Sequence, residues 1–401
     1  MKAGIKTLLL TAMLAPAFDG QAQAALLGDT LKPFASVTQS YDSNIFRVKD
    51  SEQQQALTGD DTLADFITMV TVGTRLHYQI SAQTLDLMLK RDYSFYSHYS
   101  NQDSNRDLFS GNLALSVFDK LKITLEGKYA QAPQSRSDYR GTQINEQREL
   151  AGGVAVGYEM TMGVGFAAAY RHSNVDYSLP QFRANEYAHD LYAATVSYRP
   201  SSDTRFYGTV QREFRDYPTD MRLGATLVNN SNVSDSVRIG LKRTVGAKTA
   251  VSGYVGYLER RHDQASDRDF DGLIGQAEIT YNWSPRLAFT LNGERQLYEE
   301  TYADRIYSVN DAFGVGLKYQ VSSKVKASLS EKLTWKSFQD VPNAGVAGRS
   351  DLLQDMSAGL EWAPINRLTV SLGYQYSTRD SDDPALTFSA HTIQSGITYS
   401  F

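Results

Sequence analysis

Along most of the chain, apolar and polar residues alternate one by one. Phe66, Thr68, Val70, Val72, Thr74, Leu76 and Tyr78 form one face of such a run. After Ser81-Ala82 come Leu85, Leu87 and Leu89, with Asp86, Met88 and Lys90 between them. A period of two belongs to a strand, whose side chains point to opposite faces in turn; a helix repeats every 3.6 residues or so. The pattern returns at Leu121-Ile123-Leu125, Val237-Ile239-Leu241, Leu287-Phe289-Leu291 and Leu368-Val370-Leu372.

Connection lengths decide what the strands build. Short turns are predicted at 81–82, 119–120, 160–163, 199–203, 246–247, 284–286, 322–323 and 363–366. Long polar connections fall between them, around 47–62, 97–105, 131–147, 173–185, 216–231, 261–271, 299–307, 339–350 and 379–387. Regular short/long alternation is the plan of bacterial outer-membrane barrels, with short periplasmic turns and longer extracellular loops. The prediction is an all-β, antiparallel, up-and-down transmembrane barrel of about 18 strands, or 16 if the glycine-rich pair around 150–170 does not form. Tyr198-Arg199-Pro200, Trp283-Ser284-Pro285 and Trp362-Ala363-Pro364 place an aromatic residue before a proline turn on the predicted periplasmic side, where an interfacial girdle would stand.

Composition fits this plan. Hydrophobic residues make up only 41% of the chain, yet it holds 25 tyrosines and 17 phenylalanines. Only every second residue of a barrel strand meets lipid, so a polar average and a membrane location are compatible. No cysteine is present, which excludes disulfides and thiolate chemistry, and a net charge of −5 offers no basic surface for nucleic acid. The first residues read as an export signal: Lys2 and Lys6, an apolar run from Thr7 to Phe18, then Ala22-Gln23-Ala24. Cleavage is expected after Ala24, leaving a barrel over 25–401. The chain ends with Ile393, Ile397, Tyr399 and Phe401 in alternation, which resembles the signal read by the barrel-assembly machinery, with Tyr399 and Phe401 as its carriers.

Few residues suggest chemistry beyond a pore. The six histidines show no metal-ligand spacing, and neither a nucleophile elbow nor a phosphate-binding glycine loop occurs, so no catalytic residue is assigned. Asp267, Asp269 and Asp271, with Gly272 and Glu278, match the spacing of a calcium loop. Alternation around Glu278 argues against an EF-hand; the simpler reading is an acidic extracellular loop, and Ca²⁺ there would be the one cofactor. The expected lumen-lining residues are Asp86, Lys90, Asp92, Lys122, Glu126, Lys128, Arg205, Arg238, Lys242 and Glu294, all alternating with lipid-facing positions. Their signs are mixed, as suits a wall without strong charge selectivity.

At the opening of the first strand, Tyr41-Asp42-Ser43-Asn44-Ile45-Phe46-Arg47 follows Phe34-Ala35-Ser36-Val37. This segment resembles the start of EpsL-type exopolysaccharide-biosynthesis outer-membrane proteins, of the putative β-barrel porin 2 class. The resemblance implies a pore that takes part in export of a secreted exopolysaccharide beside periplasmic export proteins. A general diffusion porin for small polar solutes, or a plugged structural barrel, fits the same residues. Outer-membrane lipid and lipopolysaccharide are the expected surroundings in each case.

Overall fold

The computed structural model describes residues 30–401 except 119, 138, 140, 224–225, 265, 301–306 and 339–347. The expected signal peptide, 1–24, lies outside the described residues. Strands alternate with turns as hairpins: β1 (Leu31–Asp42), β2 (Asp65–Ile80), β3 (Gln83–Tyr96), β4 (Ser104–Val117), β5 (Leu121–Pro133), β6 (Glu146–Glu159), β7 (Val164–Tyr177), β8 (Tyr187–Ser201) and β9 (Thr204–Asp216). A small hairpin, β10 (Met221–Leu223) and β11 (Thr226–Val228), stands apart from the wall. The wall resumes with β12 (Asn232–Val245), β13 (Thr249–His262), β14 (Phe270–Ser284), β15 (Leu287–Glu299), β16 (Tyr307–Ser322), β17 (Val325–Phe338), β18 (Arg349–Ile365), β19 (Leu368–Ser381) and β20 (Phe388–Ser400). The first connection carries one helix, α1 (Ser51–Thr58).

Eighteen strands form one antiparallel sheet, and β20 pairs with β1 from Phe34↔Ser400 to Asp42↔Thr392, which closes it. Closure satisfies backbone groups that an open edge would leave bare in lipid. The glycine-rich pair forms in full as β6 and β7, joined by 13 paired positions from Gln147↔Tyr177 to Glu159↔Gly165. At 18 strands a barrel is wide enough for an aqueous channel unless something fills it.

Two of the three aromatic-x-Pro segments are not turns. β8 continues through Pro200 and β18 through Pro364, with the register shifting between Tyr198 and Ser201 and between Trp362 and Ile365. Proline has no N–H to give the ladder, so the strand bulges at that point instead of ending. Tyr198, Trp283 and Trp362 are about half exposed on the outer surface. Several strands also outrun the expected loops: β7 reaches Tyr177 and β19 reaches Ser381.

Register fixes which face is which. Exposed Leu89, Phe109, Leu125, Val154, Phe166, Val196, Val210, Val237, Val255, Leu273, Leu291, Phe313, Leu329, Leu360, Leu372 and Ile397 share the outer face. Charged cross-strand pairs mark its upper limit: Arg91–Asp107 (2.5 Å), Arg212–Asp235 (2.7 Å) and Arg295–Asp311 (2.6 Å) all point outward. Each arginine stands eight residues beyond its strand's first residue on the short-turn side. Eight residues of a strand tilted by about 40° rise roughly 20 Å, close to the ~25 Å apolar band of such barrels. The remaining length of each strand projects past that band on the long-loop side.

Candidate functional site

The interior is the candidate site. Asp86, Lys90, Asp92, Lys122, Glu126, Lys128, Arg205, Arg238, Lys242 and Glu294 all fall on the face opposite the exposed apolar rows. Much of their charge is compensated along the wall. Lys90 meets Asp92 at 2.9 Å, Lys128 meets Glu149 at 2.6 Å, and Arg171 bridges Glu126 (2.9 Å) and Glu149 (3.5 Å). Arg205 pairs with Glu159 at 2.8 Å. Lys122 and Lys242 have no acidic partner among the described residues; they flank a groove of about 400 Å³ whose floor is Gly157, Gly165 and Ala167.

Towards the long-loop end two elements turn into the lumen, one reaching across it and one lying along the wall. The first is the 134–145 connection. The Arg379 guanidinium, on the inner face of β19 and paired with Asp351, donates to the Ser137 carbonyl at 2.9 Å. β5 and β19 stand six strands apart around the barrel, so this connection reaches across the opening. Arg136 of the same segment donates to the Gln102 side chain and lies 5.1 Å over the Phe46 ring.

The second element is the end of the β15–β16 hairpin. The β14–β15 ladder stops at Gly275↔Arg295, although β14 continues to Phe270 and β15 to Glu299. β15 stays with β16 up to Glu299↔Tyr307. Alternation assigns Leu297, Glu299, Tyr307 and Val309 to the outer face of this hairpin. They nevertheless touch the inner face of β13–β14: Tyr307 and Val309 share one buried cluster with Leu258, Phe270 and Ile274, and Leu297 packs against it. The Tyr307 ring stacks on His262 at 6.3 Å and meets Phe270 edge-on at 6.1 Å. The hairpin end therefore lies inside the wall and overlaps its neighbour.

A charge cluster fastens it there. Glu299 receives Arg215 and Arg260, each at 2.7 Å, and the Tyr217 hydroxyl at 3.1 Å. Glu213 ties Arg215 (3.3 Å) and His189 (3.2 Å) into the same network, and Lys336 meets Glu300 at 2.9 Å. Sequence reasoning missed these residues. Glu299 carries the parity of a lipid-facing position, and only the departure of the hairpin from the wall brings it inside.

The Tyr41–Arg47 segment has a structural occupation. The Arg47 guanidinium donates to both Asp42 carboxylate oxygens at 2.8 Å, and the Asn44 side chain holds the Val48 backbone from both its oxygen and its nitrogen. Ile45, Phe46 and Val48 bury with Tyr99. The segment is a knot that anchors the first long connection against the second. Nearby, hydrogen bonds from the Thr62 backbone and hydroxyl, then from His98, hold the Asp60 carboxyl down to about 2.

The acidic residues of the calcium-like spacing are not all brought together. Glu278 faces the lumen, whereas Asp271 faces outward and accepts the Tyr257 hydroxyl at 2.7 Å. Asp269 accepts the His262 backbone N–H at 2.8 Å, and the side chain of Asp267 lies outside the described set. Among the described residues no group of three or more histidine or carboxylate side chains is placed to hold a metal. Tyr399 and Phe401 lie on the outer face at the short-turn rim, their rings 5.0 Å apart.

A closed 18-stranded sheet with an apolar exterior and a polar, charge-lined interior defines a bacterial outer-membrane β-barrel of the porin kind. The chain belongs to the family described as "Putative beta-barrel porin 2", whose model matches residues 27–401. Among solved structures it is similar to OccK2 (OpdF) of Pseudomonas aeruginosa, at 9% identity and a TM-score of 0.51, covering 92% of this chain and 98% of that one. OccAB3 of Acinetobacter baumannii matches at 10% identity and 0.49, over 93% and 99% of the two chains. No curated protein sequence matches it. The likeness to the solved barrels is one of fold. None of these findings carries the exopolysaccharide-export reading, which rests on the resemblance of the Tyr41–Arg47 segment and the all-strand layout.

Proposed function

We propose that the protein is a passive pore for small polar solutes, sieved at its long-loop end. The observation that carries this reading is the combination of an 18-stranded polar lumen with two elements that turn into it. A wide barrel supplies an aqueous path, and the inward elements set how large a solute can use it. Mixed and largely paired wall charges make passage depend on size and hydration more than on one sign of charge. An extended polysaccharide would need a bore kept clear past Arg379–Ser137 and Glu299–Arg260, where the inward elements are fastened to the wall.

Liposome swelling tests the reading. Proteoliposomes made with the full chain should swell in isotonic solutions of glycerol, glucose or arabinose, more slowly in a trisaccharide, and not in a large dextran. Swelling no faster than that of empty liposomes would remove the pore; dextran uptake would remove the sieve.

A further inference from the structure

The two inward elements enclose a cavity of about 450 Å³ at the long-loop end of the lumen, within the range typical of small-molecule sites. Its walls come from the long-loop ends of β5, β6 and β17, the start of the 134–145 connection, the β7–β8 and β9–β12 connections with the strand ends beside them, and the displaced β15–β16 end.

The charges at this cavity are Glu149, Glu299, Glu300 and Lys336, and each already has a counter-ion. Glu149 is held by Lys128 and Arg171, Glu299 by Arg215 and Arg260, and Glu300 by Lys336. A charged solute would have to compete with these pairs and gain little Coulomb energy. The other polar lining is neutral. Tyr177, Tyr187, Tyr217 and Tyr298 contribute rings and phenols. Gln147, Asn185, Asn230 and Asn310 contribute side-chain amides, groups that both donate and accept, although the Asn230 and Asn310 oxygens already accept from Arg268 (3.3 Å) and the Ser308 hydroxyl (2.8 Å). Flat apolar ring faces beside amides that can serve either end of a hydroxyl match one chemical class, a neutral polyhydroxylated ring compound. The groove beside Lys122 and Lys242 differs in this respect, since these lysines have no acidic partner among the described residues.

We infer that this cavity is a binding site for a neutral sugar of one to three rings, through which such solutes pass. The inference rests on the reading of the protein as a solute pore and names the class that the constriction favours. Tyr187 supplies a stacking face, itself backed by Tyr217 at 5.4 Å and by Arg215 at 5.9 Å from the ring centre. Gln147, on the inner face of β6, supplies an amide two strands away on the same stretch of wall.

The test is isothermal titration of the full-length folded protein in a polyoxyethylene detergent, so that no sugar headgroup competes. Maltose is the principal probe, and methyl glucoside, glucuronate and glucosamine are matched single-ring neutral, anionic and cationic probes. Saturable maltose binding in the millimolar range is expected, with glucuronate and glucosamine at least tenfold weaker than methyl glucoside. Tyr187→Ala and Gln147→Leu should each weaken maltose about tenfold, and Tyr187→Phe should keep most of the affinity. If Tyr187→Ala fails to run as a folded, heat-modifiable band, Gln147→Leu decides. Absence of maltose binding by the parent, tighter binding of either charged probe, or unchanged affinity in Gln147→Leu would overturn the inference. Titration does not require conduction. Maltose binding by a protein that never conducts would leave the site and remove the pore; conduction without maltose binding would remove the site alone.

Discussion

Phe46 is 1% exposed, wedged among Ile45, Val48 and Tyr99, with the Arg136 guanidinium over its ring. Truncation to alanine removes most of that packing, at a cost of about 3–5 kcal/mol in a core that cannot collapse. Because the knot lies in the long connections, the loss should appear as loosening of the first three of these connections. Phe46→Ala should bring rapid proteolytic nicking within 43–64, 97–103 and 134–145 while the heat-modifiable barrel band persists; resistance equal to the parent would contradict the anchoring role. Asp60 belongs to the same region. Its folded value of about 2 lies below the ordinary 3.8, so its contribution to loop order is complete above about pH 4 and is lost as pH falls towards 2. Amide exchange over residues 60–64, corrected for intrinsic rates, should accelerate between pH 4 and 2, and Asp60→Asn should remove that dependence.

Strands were legible from alternation and the turns from their brevity, because both are local properties of the chain. The ends of elements were not. Proline-bearing strands pass through a bulge, as at Tyr198–Ser201, where sequence reading stops them. Helix α1 had its own local signal, since Asp50 accepts the Gln53 N–H at 2.9 Å and Gly59 closes the helix at φ 79°, a conformation that favours glycine. The displacement of the β15–β16 end has no local signal, for its residues alternate as the rest do. It is settled by packing of Tyr307 and Val309 on Phe270 and Ile274 and by the two arginines on Glu299. Glu299→Gln combined with Tyr307→Ala should free this hairpin end. Greater current noise and larger conductance than the parent are expected in planar bilayers; an unchanged trace would show that the hairpin does not bound the pathway.

For the whole molecule, fold and membrane location could be read from sequence, whereas the constriction could not. The wall residues from Asp86 to Glu294 share one face by parity alone, which alternation supplies. The inward elements depend on contacts such as Arg379 to Ser137, separated by 242 positions in the chain. Those contacts make a sieve of what would otherwise be an open conduit. The most direct test is single-channel recording of the full chain in a planar bilayer, repeated after residues 135–144 are replaced by a short Gly/Ser linker. Small, discrete openings are expected for the parent and a several-fold larger conductance for the shortened variant. A parent that never conducts, or a variant with the same conductance as the parent, would contradict this.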